Sequence, residues 1–198
     1  GPRLVLFNKP YRVLGERAGE PGKRTILDYV PFPDMDPAGR LDFDSEGLLV
    51  LTNAGWLQHL VIHPRSKLPK TYWAQVEGRP SDEALHRLSA GVDLKDGRTR
   101  PAQARRIRPP EVWPRDPPVQ ERRDLPSSWL EIVLTEGRKR QIRRMTAAVG
   151  HPTLRLLRIA VGPWTLGDLL PGRWKELPCP ADAAAFRRLC GSSPRRGG

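Results

Sequence analysis

Apolar residues recur along the chain with the spacing of β-strands. Alternating apolar positions, which are typical of a strand with one buried face, occur at residues 71–77 and 130–134. Continuous apolar runs at residues 5–7 and 47–52 predict two more strands. Further strand-like segments lie near 154–160 and 173–177.

Other segments have the helical period. The clearest is residues 138–150, where Ile142, Met145 and Val149 share one face and Gly150 provides a stop. The remaining helices are predicted around 57–62, from Ser81 to Gly91, and at 181–190. Strands and helices are mixed without a regular alternation, so the sequence predicts an α+β fold.

The segments between these elements are rich in glycine, proline and basic residues. Residues 15–25 and 98–108 are predicted to be basic loops, the first of them mobile. Residues 109–126 contain six prolines and no periodicity, which predicts a loop too long for an idle connection. We expect a single domain over 1–190 and a disordered basic tail at 191–198.

The charge balance favours a polyanionic partner. The 198 residues carry a net charge of +12, with 27 Arg against 7 Lys. A field of that sign attracts nucleic acid, and arginine's planar fork suits phosphates and base edges. The alternative is codon bias in a GC-rich genome, which raises the arginine content everywhere.

Cysteine content and hydropathy set the compartment that we expect. Two cysteines make no disulfide framework, and no apolar stretch approaches 18 residues. No signal peptide is visible. We therefore expect a cytoplasmic protein without a membrane partner. Separately, we expect a monomer.

One segment, GRLDFDSEGLLVLTNAG, concentrates acids in a basic protein. Asp42, Asp44 and Glu46 have the spacing of the first three ligands in an EF-hand calcium loop. A calcium loop needs a bidentate carboxylate at position 12, but that position is Asn53, and residues 48–51 indicate a buried strand. Calcium binding is thus disfavoured. From the residues alone, the acids are either surface charges on a turn or a catalytic carboxylate.

Other chemistries lack their motifs. His59 and His63 are four residues apart, but Leu60 occupies the position where a zinc protease of the HExxH type needs Glu. The chain contains no Walker loop, GxGxxG fingerprint or GxSxG elbow. Metal, nucleotide-cofactor and serine-triad chemistry are therefore not expected.

Three motifs together indicate a family. GRLDFDSEGLLVLTNAG resembles the signature of the RsuA/RluB/RluE group of ribosomal RNA pseudouridine synthases. KTYWAQVEG at 70–78 and EGRKRQIRRMTAAVGHPTLRLLRIAVGP at 136–163 resemble its second and third motifs, in the right order. The proline-rich stretch 113–130 resembles the RluE type, which acts on 23S rRNA and lacks an S4-like RNA-binding domain.

This resemblance implies both a fold and a reaction. The fold is an α+β domain with a mixed, largely antiparallel sheet, flanking helices and a basic active-site cleft. The reaction isomerises uridine to pseudouridine, without metal or organic cofactor. We expect its substrate to be naked or partly assembled 23S rRNA, because the target base is turned out of its stack most easily before the RNA is locked into a mature particle. An apolar residue within 157–161 is expected to close the pocket.

The resemblance also assigns residues. Asp42 matches the catalytic carboxylate, with Asp44 and Glu46 as turn and support residues. Tyr72 matches the tyrosine that stacks on the target base, and Arg143 the arginine that pairs with the catalytic aspartate. Arg40 matches a residue that enters the RNA helix after base flipping. Candidate phosphate contacts are Lys70, Arg138, Lys139, Arg140 and Arg155.

Alternatives remain at this point. Tyr72 could be a core aromatic of its strand, and each candidate phosphate contact could be an idle surface charge. The whole protein could be a non-catalytic RNA-binding or ribosome-assembly protein on the same fold. A glycosidase or nuclease that uses the acid cluster is a third possibility.

Overall fold

The computed structural model describes residues 1–191, which form thirteen strands, four α-helices and two short 3₁₀-helices. In chain order the strands are β1 Leu4–Lys9, β2 Val13–Leu14, β3 Arg24–Thr25, β4 Asp36–Pro37, β5 Glu46–Thr52, β6 Lys70–Glu77, β7 Asp93–Leu94, β8 Gly97–Arg98, β9 Gln103–Ile107, β10 Ser127–Leu134, β11 Thr153–Val161, β12 Trp164–Thr165 and β13 Trp174–Leu177. The α-helices are α1 Gly55–Ile62, α2 Asp82–Ala90, α3 Gln141–Ala148 and α4 Ala183–Gly191, and the 3₁₀-helices are Ile26–Asp28 and Pro64–Ser66.

The chain divides into two compact units. The first comprises Gly1–Leu68 and the described residues from Ile159 onward, and the second comprises Pro69–Arg158. In the first unit the strand order is β13-β1-β5-β11, with β4 against β5 and β12 against β11. In the second it is β6-β10-β9.

The pair β1 and β5 forms the centre of the first unit. The two strands are antiparallel, every residue of both is buried, and the ladder ends at the pair Lys9 and Gly47. Burial on both faces explains why these strands have continuous apolar runs rather than alternation. The chain after β1 and the chain before β5 therefore leave the sheet at the same end, which brings residues 10–15 and 40–46 together.

The second unit is built on the antiparallel ladders β6–β10 and β10–β9. Its core contains Tyr72 and Ile132 from the sheet, with Ile142 and Met145 from α3. As predicted, Ser81 caps α2, since its Oγ accepts a hydrogen bond from the Ala84 amide at 3.1 Å.

The predicted α+β class with a largely antiparallel sheet is confirmed, with three local corrections. Residues 103–107, inside the predicted basic loop 98–108, form the edge strand β9. Residues 24–25, at the end of the predicted loop 15–25, form the short strand β3. Gly191, assigned to a tail, is the last residue of α4.

The predicted tail, single domain and basic cleft are not tested by the fold. The rest of the predicted tail, 192–198, lies outside the described residues. The single domain over 1–190 and the basic cleft are likewise still predictions. Among residues 1–191, no helix combines the length and apolarity that a membrane crossing requires.

The turn formed by residues 40–43, here called the Asp42 turn, is packed against the segment that follows β1. The Arg12 amide donates a hydrogen bond to the Phe43 carbonyl at 2.8 Å. Gly15 passes so close that a Cβ atom there would lie 2.3 Å from the Leu41 carbonyl oxygen. Only glycine therefore fits at position 15 without moving the Asp42 turn.

We expect Gly15→Ala to lower the free energy of unfolding by about 1–3 kcal/mol, because the added methyl overlaps a backbone oxygen rather than a flexible side chain. Urea denaturation of the purified protein measures the change. Gly55→Ala is the matched control, since Gly55 begins α1 and a Cβ there meets nothing within 4 Å. Equal stability of the Gly15→Ala variant and the wild type would contradict the close approach.

Candidate active-site residues

Asp42 lies half-buried directly before β5, at a position that the backbone fixes on both sides. The preceding Leu41 is buried in the core of the first unit. The Asp42 carbonyl accepts a hydrogen bond from the Ser45 amide at 3.0 Å. Gly47 then enters β5 with φ of 106°, a conformation that favours glycine. The sequence assigned Gly47 that entry role, and the structure confirms it.

The other two acids of the motif lie in different environments. Asp44 is half-buried in the turn, whereas Glu46 is 1% exposed as the first residue of β5. A carboxylate so deeply buried at the start of a central strand is not a surface charge, which fits the predicted support role for Glu46.

Arg40 is at the exposed edge of the Asp42 turn. Its side chain is 78% exposed, and its Nη2 donates to Glu16 Oε1 at 2.8 Å. An exposed ion pair of this kind contributes little to stability.

Tyr72 lies in β6 opposite Ile132 of β10, and it is only 9% exposed. It belongs to the core cluster of the second unit, whose other members include Ala74 and Val76. This burial fits the core alternative as well as the stacking role, so the assignment of Tyr72 still rests on the motif.

The neighbouring arginines of α3 differ in their environments. Arg144 donates to Asp96 through Nη1 at 2.7 Å and Nη2 at 3.3 Å, and through Nε to the Lys139 carbonyl at 3.0 Å. The Arg144 guanidinium lowers the pKa of the Asp96 carboxyl, mainly through their hydrogen bond. Arg144 is thus committed to joining α3 to the β7–β8 hairpin, whereas Arg143 is half-buried on another part of the helix circumference.

Glu136 organises the segment that leads into α3. Its Oε2 accepts from the Arg100 amide at 2.7 Å and from Gln141 Nε2 at 3.0 Å, and its Oε1 accepts from Arg138 Nε at 3.1 Å. Burial raises the pKa of the Glu136 carboxyl, but these hydrogen bonds outweigh burial and hold it below its usual value. An ionised Glu136 therefore fixes the start of the helix that carries Arg143.

Arg138, a predicted phosphate contact, is held by the same network. Besides Glu136, its guanidinium donates to the carbonyls of Gly97 at 2.8 Å and Arg98 at 2.5 Å. Its three nitrogens thus all contact protein acceptors, and the geometry favours a structural clamp. Sequence reasoning missed this clamp, although Glu136 stands at the head of the third motif.

Lys70 lies at the start of β6, opposite Leu134. Burial and, to a lesser extent, the charge of Arg158 lower the pKa of its ammonium, and the charge of Glu136 raises it, so that the pKa is about 8. The charge of Lys70 is therefore labile near neutral pH, a property that the motif alone does not reveal.

The other predicted phosphate contacts divide into buried and exposed groups. Arg155 is 6% exposed, and its Nη2 donates to the Trp113 carbonyl at 2.9 Å, which attaches the proline-rich loop to β11. Lys139 and Arg140 are both exposed at the start of α3. Arg140 has φ of 52°, in the left-handed region.

The proline-rich loop contains no strand or helix, as predicted. It is nevertheless attached to β11, because Arg115 Nη1 donates a hydrogen bond to the Leu154 carbonyl at 3.2 Å.

The rings of His59 and His63 lie 5.0 Å apart. Even so, within residues 1–191 no three His, Cys, Asp or Glu side chains form a group that could hold a metal ion.

Comparison with known proteins gives the same family as the motifs. The family model described as RNA pseudouridylate synthase matches residues 3–148, a span that includes Asp42, Tyr72 and Arg143. A solved structure described as a pseudouridylate synthase superposes with a TM-score of 0.74 at 23% identity, covering 96% of this chain and 74% of that one. That likeness confirms the fold.

Sequence relatives are much closer. The chain is 53% identical over 175 residues to ribosomal large subunit pseudouridine synthase E of Vibrio parahaemolyticus, covering 88% of this chain and 74% of the relative. The corresponding protein of Xanthomonas axonopodis pv. citri is 58% identical over 171 residues, covering 85% and 90%. Ribosomal large subunit pseudouridine synthase B of Bacillus subtilis is 33% identical over 190 residues, covering 95% and 72%.

The three motifs in order, the α+β fold and the extent of these matches agree with one another. They confirm the predicted family and its enzyme class, an isomerase that acts on RNA. This chain belongs to the RNA pseudouridylate synthase family.

Proposed function

We propose that this protein converts a uridine of large-subunit (23S) rRNA to pseudouridine in the cytoplasm. One observation carries the proposal: 53% and 58% identity, over 85% or more of the chain, to relatives named ribosomal large subunit pseudouridine synthase E. The highly basic composition supports an RNA substrate, because phosphate contacts dominate affinity for nucleic acid.

The reaction is an isomerisation that needs no oxidant, reductant or co-substrate. The bond between N1 of uracil and C1′ of ribose breaks, the base turns, and a bond forms between C5 and C1′. C5 loses its proton and N1 gains one, so atoms and electrons balance. The proposal includes no metal or organic cofactor.

Asp42 is the proposed catalytic carboxylate. It can attack C1′ as a nucleophile or remove the proton from C2′ on the way to a glycal, and both routes begin from the ionised form. Hydrogen bonds to the Asp42 and Phe43 carbonyls fix the backbone around it. This preorganisation supports the assignment, because a misplaced catalytic group loses much of its effect.

The remaining roles follow from the family resemblance. Arg143 is the proposed partner of the catalytic aspartate, a choice supported by the commitment of Arg144 to Asp96. Tyr72 is proposed to stack on the target base. Arg40, whose side chain is 78% exposed, is proposed to occupy the space that the flipped base leaves.

We expect the substrate to be protein-free or partly assembled rRNA. The target base must leave its stack, which costs a few kcal/mol and is easiest before the RNA is locked in a mature particle. Lys139 and Arg140 are exposed, whereas Arg138 is half-buried and Arg155 is 6% exposed, so the first two are better placed to meet phosphate.

The test of the proposed function is to offer purified enzyme protein-free 23S rRNA, 16S rRNA, tRNA and intact 50S subunits, and to map every pseudouridine formed. We expect modification of 23S rRNA in preference to the other substrates. Preferential modification of tRNA or 16S rRNA would refute the substrate assignment. Efficient modification of intact 50S subunits would refute the timing.

Asp42→Asn should abolish pseudouridine formation while rRNA affinity stays within about twofold of wild type, because the amide keeps the shape but is neither nucleophile nor base. Asp44→Asn is the matched control, two residues away, and should retain activity. Turnover by the Asp42→Asn variant would move the catalytic role to another acid. Failure of the wild type to modify any RNA that it binds would favour a non-catalytic RNA-binding protein.

Arg143→Ala should lower kcat by about 100-fold or more, since it removes a charged partner from the proposed reacting carboxylate. Arg144→Ala should mainly lower stability, and only slightly, because it removes a partly exposed ion pair with Asp96. Single-turnover assays and urea denaturation of both variants separate the two effects. Equal losses of kcat would contradict the assignment.

Lys70 gives a prediction about pH. With a pKa of about 8, its ammonium is charged at neutral pH and becomes neutral as pH rises. If Lys70 contacts phosphate, wild-type affinity for rRNA falls between about pH 7 and about pH 8.5, whereas Lys70→Arg, which stays cationic, loses less. Dissociation constants at constant ionic strength measure this, and an identical pH dependence of the two proteins would exclude the contact.

A further inference from the structure

The backbone adopts the left-handed region at three residues other than glycine within the described chain. These are Arg12 with φ of 62°, Lys67 with φ of 46° and Arg140 with φ of 52°. Glycine enters this region freely, whereas a side chain with a Cβ is strained there. All three are exposed cations, and Arg12 is the one that contacts the Asp42 turn through its backbone.

The strained conformation of Arg12 is imposed by backbone contacts that do not involve its side chain. Its amide donates to the Phe43 carbonyl at 2.8 Å. The buried Lys9 ammonium donates to the carbonyls of Pro10 and Val13, each at 2.7 Å, and so holds the turn on both sides of Arg12. Glycine at position 12 would keep every one of these bonds and relieve the strain.

The Arg12 side chain contributes little to the fold. It is exposed, and its guanidinium carbon lies 5.5 Å from the centroid of the adjacent Tyr11 ring. Within residues 1–191 it forms no ion pair with a carboxylate. An arginine that strains the backbone and forms no ion pair within residues 1–191 fits a functional role better than a structural one.

The surroundings of Arg12 indicate what it would bind. Lys23 Nζ lies 4.5 Å from the centroid of the Phe43 ring, and the Arg40 guanidinium is exposed on the same turn. Three cations thus belong to or contact the few residues that carry Asp42. Arg40 and Lys23 already have carboxylate partners, in Glu16 and Glu20, which leaves Arg12 as the cation of this group without one.

We propose that Arg12 binds a phosphate of the RNA backbone next to the uridine that reacts at Asp42. This inference rests on the proposed function, since it assumes that the substrate is rRNA. A guanidinium presents a planar fork that matches two phosphate oxygens. The Arg12 amide is hydrogen-bonded to the carbonyl of Phe43, the residue after Asp42. A phosphate bound by Arg12 would therefore be held at a fixed position relative to the catalytic carboxylate.

The experiment compares Arg12→Gly with wild type on protein-free 23S rRNA. We expect a melting temperature equal to or above that of wild type, because the strain is gone and the backbone bonds remain. The slope of log binding constant against log salt concentration should become shallower by about 0.7 to 1, the value for one lost phosphate contact. KM should rise at least fivefold with kcat nearly unchanged.

Two further variants make the result specific. Lys67→Gly also removes an exposed cation and relieves a left-handed backbone in the same unit, but Lys67 only closes a 3₁₀-helix, so we expect no change in salt slope or KM. Arg12→Lys keeps the charge and loses the fork, so its salt slope should stay near the wild-type value. Equal effects of Arg12→Gly and Lys67→Gly would show general electrostatics and overturn the proposal.

Failure of this proposal is distinguishable from failure of the proposed function. If wild type forms pseudouridine in 23S rRNA and Arg12→Gly binds with an unchanged salt slope, only the role of Arg12 is refuted. If wild type forms no pseudouridine in any rRNA, the proposed function fails first.

Discussion

The close packing of residues 12–15 against the Asp42 turn is the constraint on which the proposed chemistry depends. The antiparallel pairing of β1 with β5, which ends at Lys9 and Gly47, delivers both segments to the same end of the sheet. The Arg12 amide, the Gly15 backbone and the buried Leu41 side chain then fix the turn from three sides. A carboxylate held in this way needs little reorganisation before it reacts.

In the second unit, the start of α3 is fixed by side-chain hydrogen bonds rather than by backbone packing. Arg140, at the N-cap of α3, makes no side-chain capping hydrogen bond to the helix. Glu136 and Gln141 stabilise that end instead, since the Gln141 side chain accepts from the Arg138 amide at 3.1 Å while donating to Glu136. The position of Arg143 therefore depends on a polar network in which each carboxylate oxygen of Glu136 has a donor.

The many arginines of the chain perform two different tasks. Arg138 and Arg144 join the hairpin β7–β8 to α3, and Arg155 anchors the proline-rich loop, so their donors are used within the protein. Arg12 and Arg40 are exposed around the Asp42 turn, where Arg40 also pairs with Glu16. The net charge therefore does not indicate which arginines bind RNA, because structural and RNA-binding arginines contribute equally to the composition.

The sequence by itself determined the family, the α+β class, the main strands and helices and the candidate carboxylate, because buried strands and capped helices leave periodic patterns and the three motifs are specific. It missed the edge strand β9, whose polar residues Gln103, Arg105 and Arg106 lack alternation because an edge strand buries little. It also could not separate Arg143 from Arg144 by their contacts, or recognise Arg138 as a clamp. Those distinctions depend on Asp96, Gly97 and Glu136, which come together only in the folded chain. The left-handed backbone at Arg12 was equally invisible, since the contact between residues 12 and 43 that imposes it exists only after β1 and β5 pair.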